Sequence, residues 1–155
     1  MKTFEEIKEE LLHRAKEAGA CADGYRMGLE AENKADLLKA ITENWWWVFV
    51  SAKIINAEYL ENNFTEAELN EAGIYISGIH ETRTAAFACG SATVKAYGSA
   101  TVEAYGSATV EAYDNSYVED CTGNIRPTDG FAIVKDYYNH RIYIKKGKFE
   151  IIEIE

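Results

Sequence analysis

The chain has little of what marks a disulfide-bonded or metal-binding protein. Its three cysteines, Cys21, Cys89 and Cys121, form an odd set without CxxC spacing, which indicates neither a disulfide framework nor a zinc site. Calcium is not expected either, because calcium-binding nonapeptide coils need a recurring GGxGxD, and the repeats of this chain have Ser or Asn where that Asp would be. We therefore expect no metal and no cofactor.

Long apolar runs and basic residues are also scarce. No stretch has membrane-spanning length, and the first residues, MKTFEEIKEELL, are typical of a charged helix and not of a signal peptide. We therefore expect a cytoplasmic protein that meets no membrane. Lys and Arg number 16 against 26 Asp and Glu, a net charge of -10. This balance disfavours direct nucleic-acid binding, and it favours either plain solubility or a basic partner.

The sequence contains none of the short motifs on which common catalytic sites rest. P-loop, GxGxxG, GxSxG and EF-hand patterns are missing from it. His13, His80 and His140 stand without an HxxxH or HExxH spacing and without a neighbouring nucleophile motif. We therefore expect a protein that is not an enzyme, with these histidines at the surface or in turns.

What the sequence has instead is a repeat of eight residues. From Gly90 to Cys121 it reads GSATVKAY, GSATVEAY, GSATVEAY and DNSYVEDC. Small apolar residues occupy the odd positions and polar or large ones the even positions, which predicts strands with one small, inward face. A unit this short must stack on its neighbours. The pattern predicts a narrow β-solenoid whose corners fall at the Gly-Ser or Asp-Asn pairs.

The register follows if two octads make one coil. Residues sixteen apart then stack, at roughly the 4.7–4.9 Å spacing of neighbouring strands. Lys95 is expected beside Glu111, and Glu103 beside Glu119. Cys89 and Cys121 take the eighth octad position, where Tyr stands elsewhere, and a separation of two coils keeps them from bonding.

The octad frame extends on both sides of these repeats. TRTAAFAC precedes them in frame, and GFAIVKDY, from Gly130 to Tyr137, recovers the frame after TGNIRPTD, a loop or an imperfect coil with the only proline. The last residues, RIYIKKGKFEIIEIE, alternate on both sides of KKGK and predict a hairpin or two final strands.

The N-terminal half has helical periodicity. Thr3 and Glu6 form a capping box that predicts a helix to Ala18, and a linker with a short helix around Tyr25 follows. A second long helix is expected from Ala35 to Ala52, and one or two short helices within 54–73. The chain is therefore predicted to be α+β, with a helical domain over 1–73 and a β-solenoid over 74–155.

Three consecutive tryptophans stand in the second long helix. Trp45, Trp46 and Trp47 cover most of a helix circumference, so they cannot all face one core. The extra indole either seals the joint between helices and solenoid or anchors a partner.

Solenoid ends expose unpaired backbone groups and need cover. We expect the helical domain to cap the first coil. The charged residues near the C-terminus either keep the last strands soluble or mark an edge for a homodimer; they are Lys145, Lys146, Lys148, Glu150, Glu153 and Glu155.

The outward rows of the solenoid and the tryptophans are the candidate binding surfaces. An acidic wall could compete with phosphate for the basic groove of a nucleic-acid-binding protein, as in the pentapeptide-repeat proteins that imitate DNA. Alternatives are a structural or oligomerisation role, and an ice- or surface-binding role, because AYGSATVEAYGSA resembles the octads of ice nucleation proteins. The candidate partner-binding residues are Glu103, Glu111, Glu119, Tyr97, Tyr105, Tyr113, Trp46 and Trp47.

One further resemblance concerns the arrangement as a whole. A head of the type FEEIKEELLHRAKEAGACADGY, a helix DLLKAITENWWW and SATVxAY octads resemble small proteins encoded in phages and mobile elements of gut bacteria. That resemblance implies no activity or ligand. It implies a context in a bacterial host cell where compact acidic proteins are often inhibitors of defence complexes, of the anti-CRISPR or anti-restriction type. We therefore expect a protein-binding module that inhibits such a complex.

Overall fold

The computed structural model describes residues 1–127 and 130–144, and the chain divides into two units, Met1–Ile76 and Ser77–Glu155. The first unit is helical and the second is a parallel β-solenoid, which confirms the predicted fold class. Among the described residues no helix is long and apolar enough to cross a membrane.

Five α-helices and a π-helix make up the first unit. They are α1 (Phe4–Glu17), α2 (Ala22–Glu30), α3 (Lys34–Glu43), the π-helix (Trp46–Ser51), α4 (Ala57–Asn63) and α5 (Glu66–Glu71), followed by the two-residue strand β1 (Ile74–Tyr75). The predicted helical periodicity is confirmed by burial of the apolar face, which includes Ile7, Leu11, Leu37, Leu38, Ile41, Phe49, Leu60 and Phe64.

The predicted capping box is present, and a second one begins α5. The Glu6 amide donates to Thr3 Oγ1 at 3.2 Å, and the Thr3 amide donates to the Glu6 carboxylate at 2.8 Å. Thr65 and Glu68 repeat this exchange at the start of α5. Each cap satisfies donors that the first helical turn leaves unpaired, which typically stabilises a helix by about 1 kcal/mol.

The predicted second long helix is divided in two. Helix α3 ends at Glu43, and the chain widens into the π-helix, in which the Ala52 amide donates to the Trp47 carbonyl at 2.8 Å. Asn44 stands at the break, and its Nδ2 donates to the Ala40 carbonyl at 2.9 Å. Asn side chains compete with the backbone for such partners, which favours a helix end. The linker helix is longer than predicted, because α2 has nine residues.

The second unit contains nine strands in its described part. They are β2 (Ile79–Thr82), β3 (Ala86–Ala88), β4 (Thr93–Ala96), β5 (Thr101–Ala104), β6 (Thr109–Ala112), β7 (Tyr117–Asp120), β8 (Ile125–Pro127), β9 (Ile133–Asp136) and β10 (Arg141–Tyr143). We call β3-β5-β7-β9-β10 the first sheet and β2-β4-β6-β8 the second sheet, each in its spatial order.

The pairing confirms a coil of two octads. Thr93 pairs with Thr109 and Thr101 with Tyr117, in parallel register sixteen residues apart. The same register places Lys95 beside Glu111 and Glu103 beside Glu119, as predicted. The inward positions are closed to solvent, and the small Ala and Val side chains there allow the two sheets to approach; they include Ala92, Val94, Ala100, Val102, Ala104, Ala108, Val110 and Val118.

The coil corners fall at the first octad position. Gly98 and Gly106 have φ values of 62° and 72°, in the left-handed region that glycine adopts at little cost. Asp114 takes the same position with φ 54°, and its carboxylate accepts a hydrogen bond from the Gly98 amide at 2.8 Å. Asp tolerates this conformation better than most residues because its side chain can bond locally, as it does here to the neighbouring coil.

The described part of TGNIRPTD, residues 122–127, forms an imperfect coil, one of the two predicted alternatives. Ile125 of β8 pairs with Val110, a separation of fifteen residues and not sixteen. The preceding turn is tightened by Asp120, whose carboxylate accepts bonds from the Thr122 and Gly123 amides at 3.0 and 2.9 Å. Strand β9 then returns to the sixteen-residue register.

The last described strand reverses direction. Strand β10 is antiparallel to β9, with Arg141 opposite Asp136, so it extends the first sheet and does not start a new coil. The predicted hairpin across KKGK and the charged residues from Lys145 to Glu155 lie outside the described residues. Cover of the first coil by the helical unit stays a prediction.

Candidate partner-binding surfaces

Cα register aligns one row of residues on each sheet around the sixth octad position. On the first sheet this row runs Phe87, Glu103, Glu119, Lys135, and its first member, Phe87, is buried. On the second sheet the row contains Glu81, Lys95 and Glu111, with Glu81 fourteen and not sixteen residues before Lys95. Consecutive octads lie on opposite sheets, so Glu111 is separated from Glu103 and Glu119. The three glutamates therefore do not form one acidic wall.

The row of the second sheet alternates in charge. Lys95 lies between Glu81 and Glu111. The Glu111 carboxylate also accepts a hydrogen bond from the Tyr113 hydroxyl at 3.0 Å. Alternating charges on neighbouring strands attract each other and leave little net potential. This face is therefore not the acidic surface that the composition suggests.

Glu103 and Glu119 form the acidic part of the first sheet. Burial and, after it, the neighbouring Glu119 carboxylate raise the pKa of Glu103 to about 7. Glu119 accepts hydrogen bonds from the Tyr117 and Tyr137 hydroxyls at 2.9 and 3.4 Å, and Lys135 Nζ is 4.0 Å from it. Within the described part of the chain, Glu103 has no cation within 4 Å. The pair is thus one partnered carboxylate beside one that lacks a counter-charge.

Apolar side chains adjoin this pair on the same face. Tyr117 and Ile133 occupy neighbouring fourth positions and are 36% and 37% exposed. On β10, Ile142 lies opposite Lys135 and is 64% exposed. Large exposed apolar side chains next to polar ones are typical of protein interaction sites. Tyr117, Ile133 and Lys135 were not among the predicted site residues, although sixteen-residue register applied to DNSYVEDC and GFAIVKDY would have placed them there.

The predicted tyrosine row is also divided between the sheets. On the second sheet the rings of Tyr97 and Tyr113 stack, with centroids 4.7 Å apart and planes 15° apart. The Arg83 guanidinium carbon is 5.5 Å from the Tyr97 ring centre, which extends the stack by a cation–π contact. Tyr105 belongs to the first sheet, where its octad position is taken by Cys89 and Cys121 in the neighbouring coils. Neither cysteine is part of a disulfide.

The three tryptophans have three different environments. Trp45 is buried, Trp46 is 40% exposed and Trp47 is half-buried. The Trp45 and Trp46 rings meet edge to face, with centroids 5.5 Å apart. Trp47 lines a cavity inside the helical unit. Of the two predicted anchors, only Trp46 is thus exposed at the surface.

Two buried carboxylates of the solenoid stabilise its turns. Asp120 accepts bonds from Thr122 and Gly123, and Asp136 accepts bonds from the backbone and side-chain amides of Asn139 at 2.8 and 2.9 Å. Over residues 1–127 and 130–144, no group of three or more His, Cys, Asp or Glu side chains is arranged to hold a metal ion.

Comparison of the chain with family models, curated proteins and solved structures found no match.

Proposed function

We propose that the chain is a non-enzymatic protein-binding module whose contact surface is the outer face of the first sheet. The observation that carries this proposal is the position of Glu103, a half-buried carboxylate that lies beside Glu119, with the exposed Tyr117 and Ile133 on the next two strands, β7 and β9. Such a face combines a carboxylate that lacks a cationic partner among the described residues with exposed apolar side chains that a binding partner can cover.

The chemistry of this face selects a basic partner. A Lys or Arg side chain placed against Glu103 and Glu119 would relieve their repulsion, and an arginine could bond both carboxylates through its planar fork. Removal of water from Tyr117 and Ile133 would add apolar burial beside the ion pairs. Binding of the cation favours ionised Glu103, so affinity should rise as pH increases from about 6 to about 8.

Proteins that handle nucleic acid carry basic grooves of this type. An acidic module could occupy such a groove and compete with phosphate. The resemblance to small phage and mobile-element proteins supports a partner in a bacterial defence complex, of the kind blocked by anti-CRISPR or anti-restriction inhibitors. On this proposal the module acts in the cytoplasm of the bacterial host and does not itself bind nucleic acid.

The two sheets provide a matched test. Glu103→Lys/Glu119→Lys reverses the charge of the first sheet, while Glu111→Lys makes the same change on the second. Each variant would be used as bait in bacterial lysate, with retained proteins identified and titrated. We expect the wild type and Glu111→Lys to retain the same basic, nucleic-acid-binding protein, with nucleic acid displacing it, and the double variant to lose it. Equal retention by the double variant would overturn the assignment of this face.

A second candidate is a structural or oligomerisation module. It is favoured by β10, the last strand of the first sheet in the described part, where Ile142 is exposed. A homodimer through this strand predicts a sedimentation coefficient that rises with concentration and falls after Ile142→Lys. The register does not give the ice-binding alternative a long threonine row: Thr101 is followed by Tyr117 and Ile133 on the first sheet, and the Thr93–Thr109 pair of the second sheet is preceded by Ile79.

A further inference from the structure

The helical unit contains a partly open pocket of about 270 Å³, called the cavity below. Its walls come from α1, α2, α3 and the π-helix, and its lining includes Leu11, Tyr25, Leu37, Ile41, Trp47 and Val48. No lining residue carries a formal charge. The cavity lies wholly within the first unit and includes no residue of the first sheet, so a ligand could bind there whether or not the proposed function is correct.

Helix α2 forms one wall with two glycines a single turn apart. A Cβ at Gly24 would lie 3.1 Å from Asn44 Oδ1, and a Cβ at Gly28 would lie 3.3 Å from Leu12 Cδ2. Neither glycine has a positive φ, so the backbone conformation does not require them. Glycine inside a helix lowers stability by about 1 kcal/mol relative to alanine. We therefore infer that Gly24 and Gly28 are present because a larger side chain would not fit there beside the cavity.

The π-helix forms the opposite wall. The Ala52 amide donates to the Trp47 carbonyl at 2.8 Å, and the Ile54 amide donates to the Val48 carbonyl at 3.0 Å. These wide turns place Trp47, Val48 and Ile54 together on the cavity lining. Wide turns of this type have poorer backbone geometry than α-helix and occur frequently at functional sites.

Asn44 brings a hydrogen-bonding group to this apolar lining. Its Nδ2 donates to the Ala40 carbonyl at 2.9 Å and contacts Met27 Sδ at 3.6 Å. The amide oxygen Oδ1 points toward Gly24 on the cavity wall. The side chain is therefore held through its donor, while its acceptor receives no hydrogen bond from the described residues. An apolar pocket with a few oriented polar groups is the usual form of a small-molecule site.

We propose that this cavity binds a neutral aromatic molecule of one or two rings that donates one hydrogen bond to Asn44 Oδ1. The volume of the cavity limits the size of the ligand. An apolar cavity of about 150 Å³ takes up benzene, and drug-sized ligands need roughly 300 Å³ or more, so about 270 Å³ suits one or two rings. The uncharged lining excludes ions, which would lose their hydration without a counter-charge. The rings of Tyr25 and Trp47 favour an aromatic guest.

The test compares indole with indene, which has nearly the same shape and lacks the N–H donor. Each would be titrated into the full-length ¹⁵N-labelled protein. We expect indole to shift the side-chain signals of Asn44 and Trp47, and indene to bind about three- to tenfold more weakly, since a hydrogen bond contributes about 0.5–1.5 kcal/mol. No shift with millimolar indole, or equal affinity for the two probes, would overturn the proposal.

Two further measurements tie the signal to the cavity. Ala15→Phe fills the space from α1 and should abolish indole binding, whereas Ala35→Leu makes an enlargement at an exposed position of α3 outside the lining. In the wild type, exposed Cys21 lies on the lining, so saturating indole should slow its alkylation by iodoacetamide at least threefold. Unchanged Cys21 alkylation, or indole binding retained in a folded Ala15→Phe protein, would place the site elsewhere.

Discussion

Glu103 and Glu119 lie side by side on the outer face of the first sheet, and they differ in their partners. Two tyrosine hydroxyls and Lys135 surround the Glu119 carboxylate, while burial and Glu119 itself raise the pKa of Glu103 to about 7. Because folding raises the pKa of Glu103, the stability of the solenoid depends on pH. On this face two neighbouring carboxylates differ sharply in their partners.

Glu103→Gln should reduce that dependence on pH. Since the folded pKa lies above the ordinary value of 4.5, the native state holds the proton more tightly, and wild-type stability falls as pH rises from about 4.5 to about 7. Allowing for solvent screening of a partly exposed group, Glu103→Gln should gain about 1–2 kcal/mol over the wild type at pH 8 and little at pH 4. Urea unfolding at several pH values measures this, with Glu111→Gln as the control. An unchanged slope of stability against pH would contradict the assignment.

The Tyr97 and Tyr113 stack should couple the coils of the second sheet. A double-mutant cycle with Tyr97→Leu and Tyr113→Leu is expected to give a coupling free energy of about 0.5–1.5 kcal/mol, the usual range for stacked aromatic pairs. The control cycle combines Tyr97→Leu with Tyr105→Leu, because these residues lie on different sheets. A similar coupling free energy in both cycles would show that the coupling does not come from the stacked rings.

Ser116→Ala should stabilise the protein. Ser116 is fully buried at the third octad position, where alanine stands in the preceding octads, and its Oγ has no hydrogen-bond partner among the described residues. Removal of a buried, unpaired hydroxyl should raise the free energy of unfolding by about 1 kcal/mol. Thermal and urea unfolding measure the change. A loss of stability would show that the hydroxyl has a partner in solution.

Asp120→Ala also restores the alanine that the preceding octads have at this position, but we expect it to lower the stability. The Asp120 carboxylate accepts bonds from the Thr122 hydroxyl at 2.6 Å and from two backbone amides. Alanine would leave these donors unpaired, so we expect a loss of about 2–4 kcal/mol of unfolding free energy. Asp120→Asn, which keeps one acceptor, should fall between the two proteins in urea unfolding. Stabilisation by Asp120→Ala would refute a role of this carboxylate in the turn.

Much of the solenoid could be predicted because its signals are local. The alternation of small and large residues places Ala100, Val102 and Ala104 inside, and Gly98 marks a corner whatever the rest of the chain does. The one-residue slip at Ile125 could not be read from the octads, because it arises where Asp120 tightens a turn through its side chain. The π-helix was missed for a similar reason, since the apolar spacing from Leu37 to Phe49 fits an uninterrupted helix equally well.

The sequence by itself determined the strand period, the octad corners, the helix caps and the pairing of residues sixteen apart. The first three depend on the conformational preferences of a few adjacent residues, and the last follows from the repeat length. Only the tertiary structure decided how far each outward residue is exposed and where the register departs from sixteen, because burial and coil length depend on packing between coils. It showed that Phe87 is buried while Tyr117 and Ile133 are exposed, and it gave the fifteen-residue step at Ile125. The cavity in the helical unit has the same origin, since its walls come from α1, α2, α3 and the π-helix and exist only when these pack together.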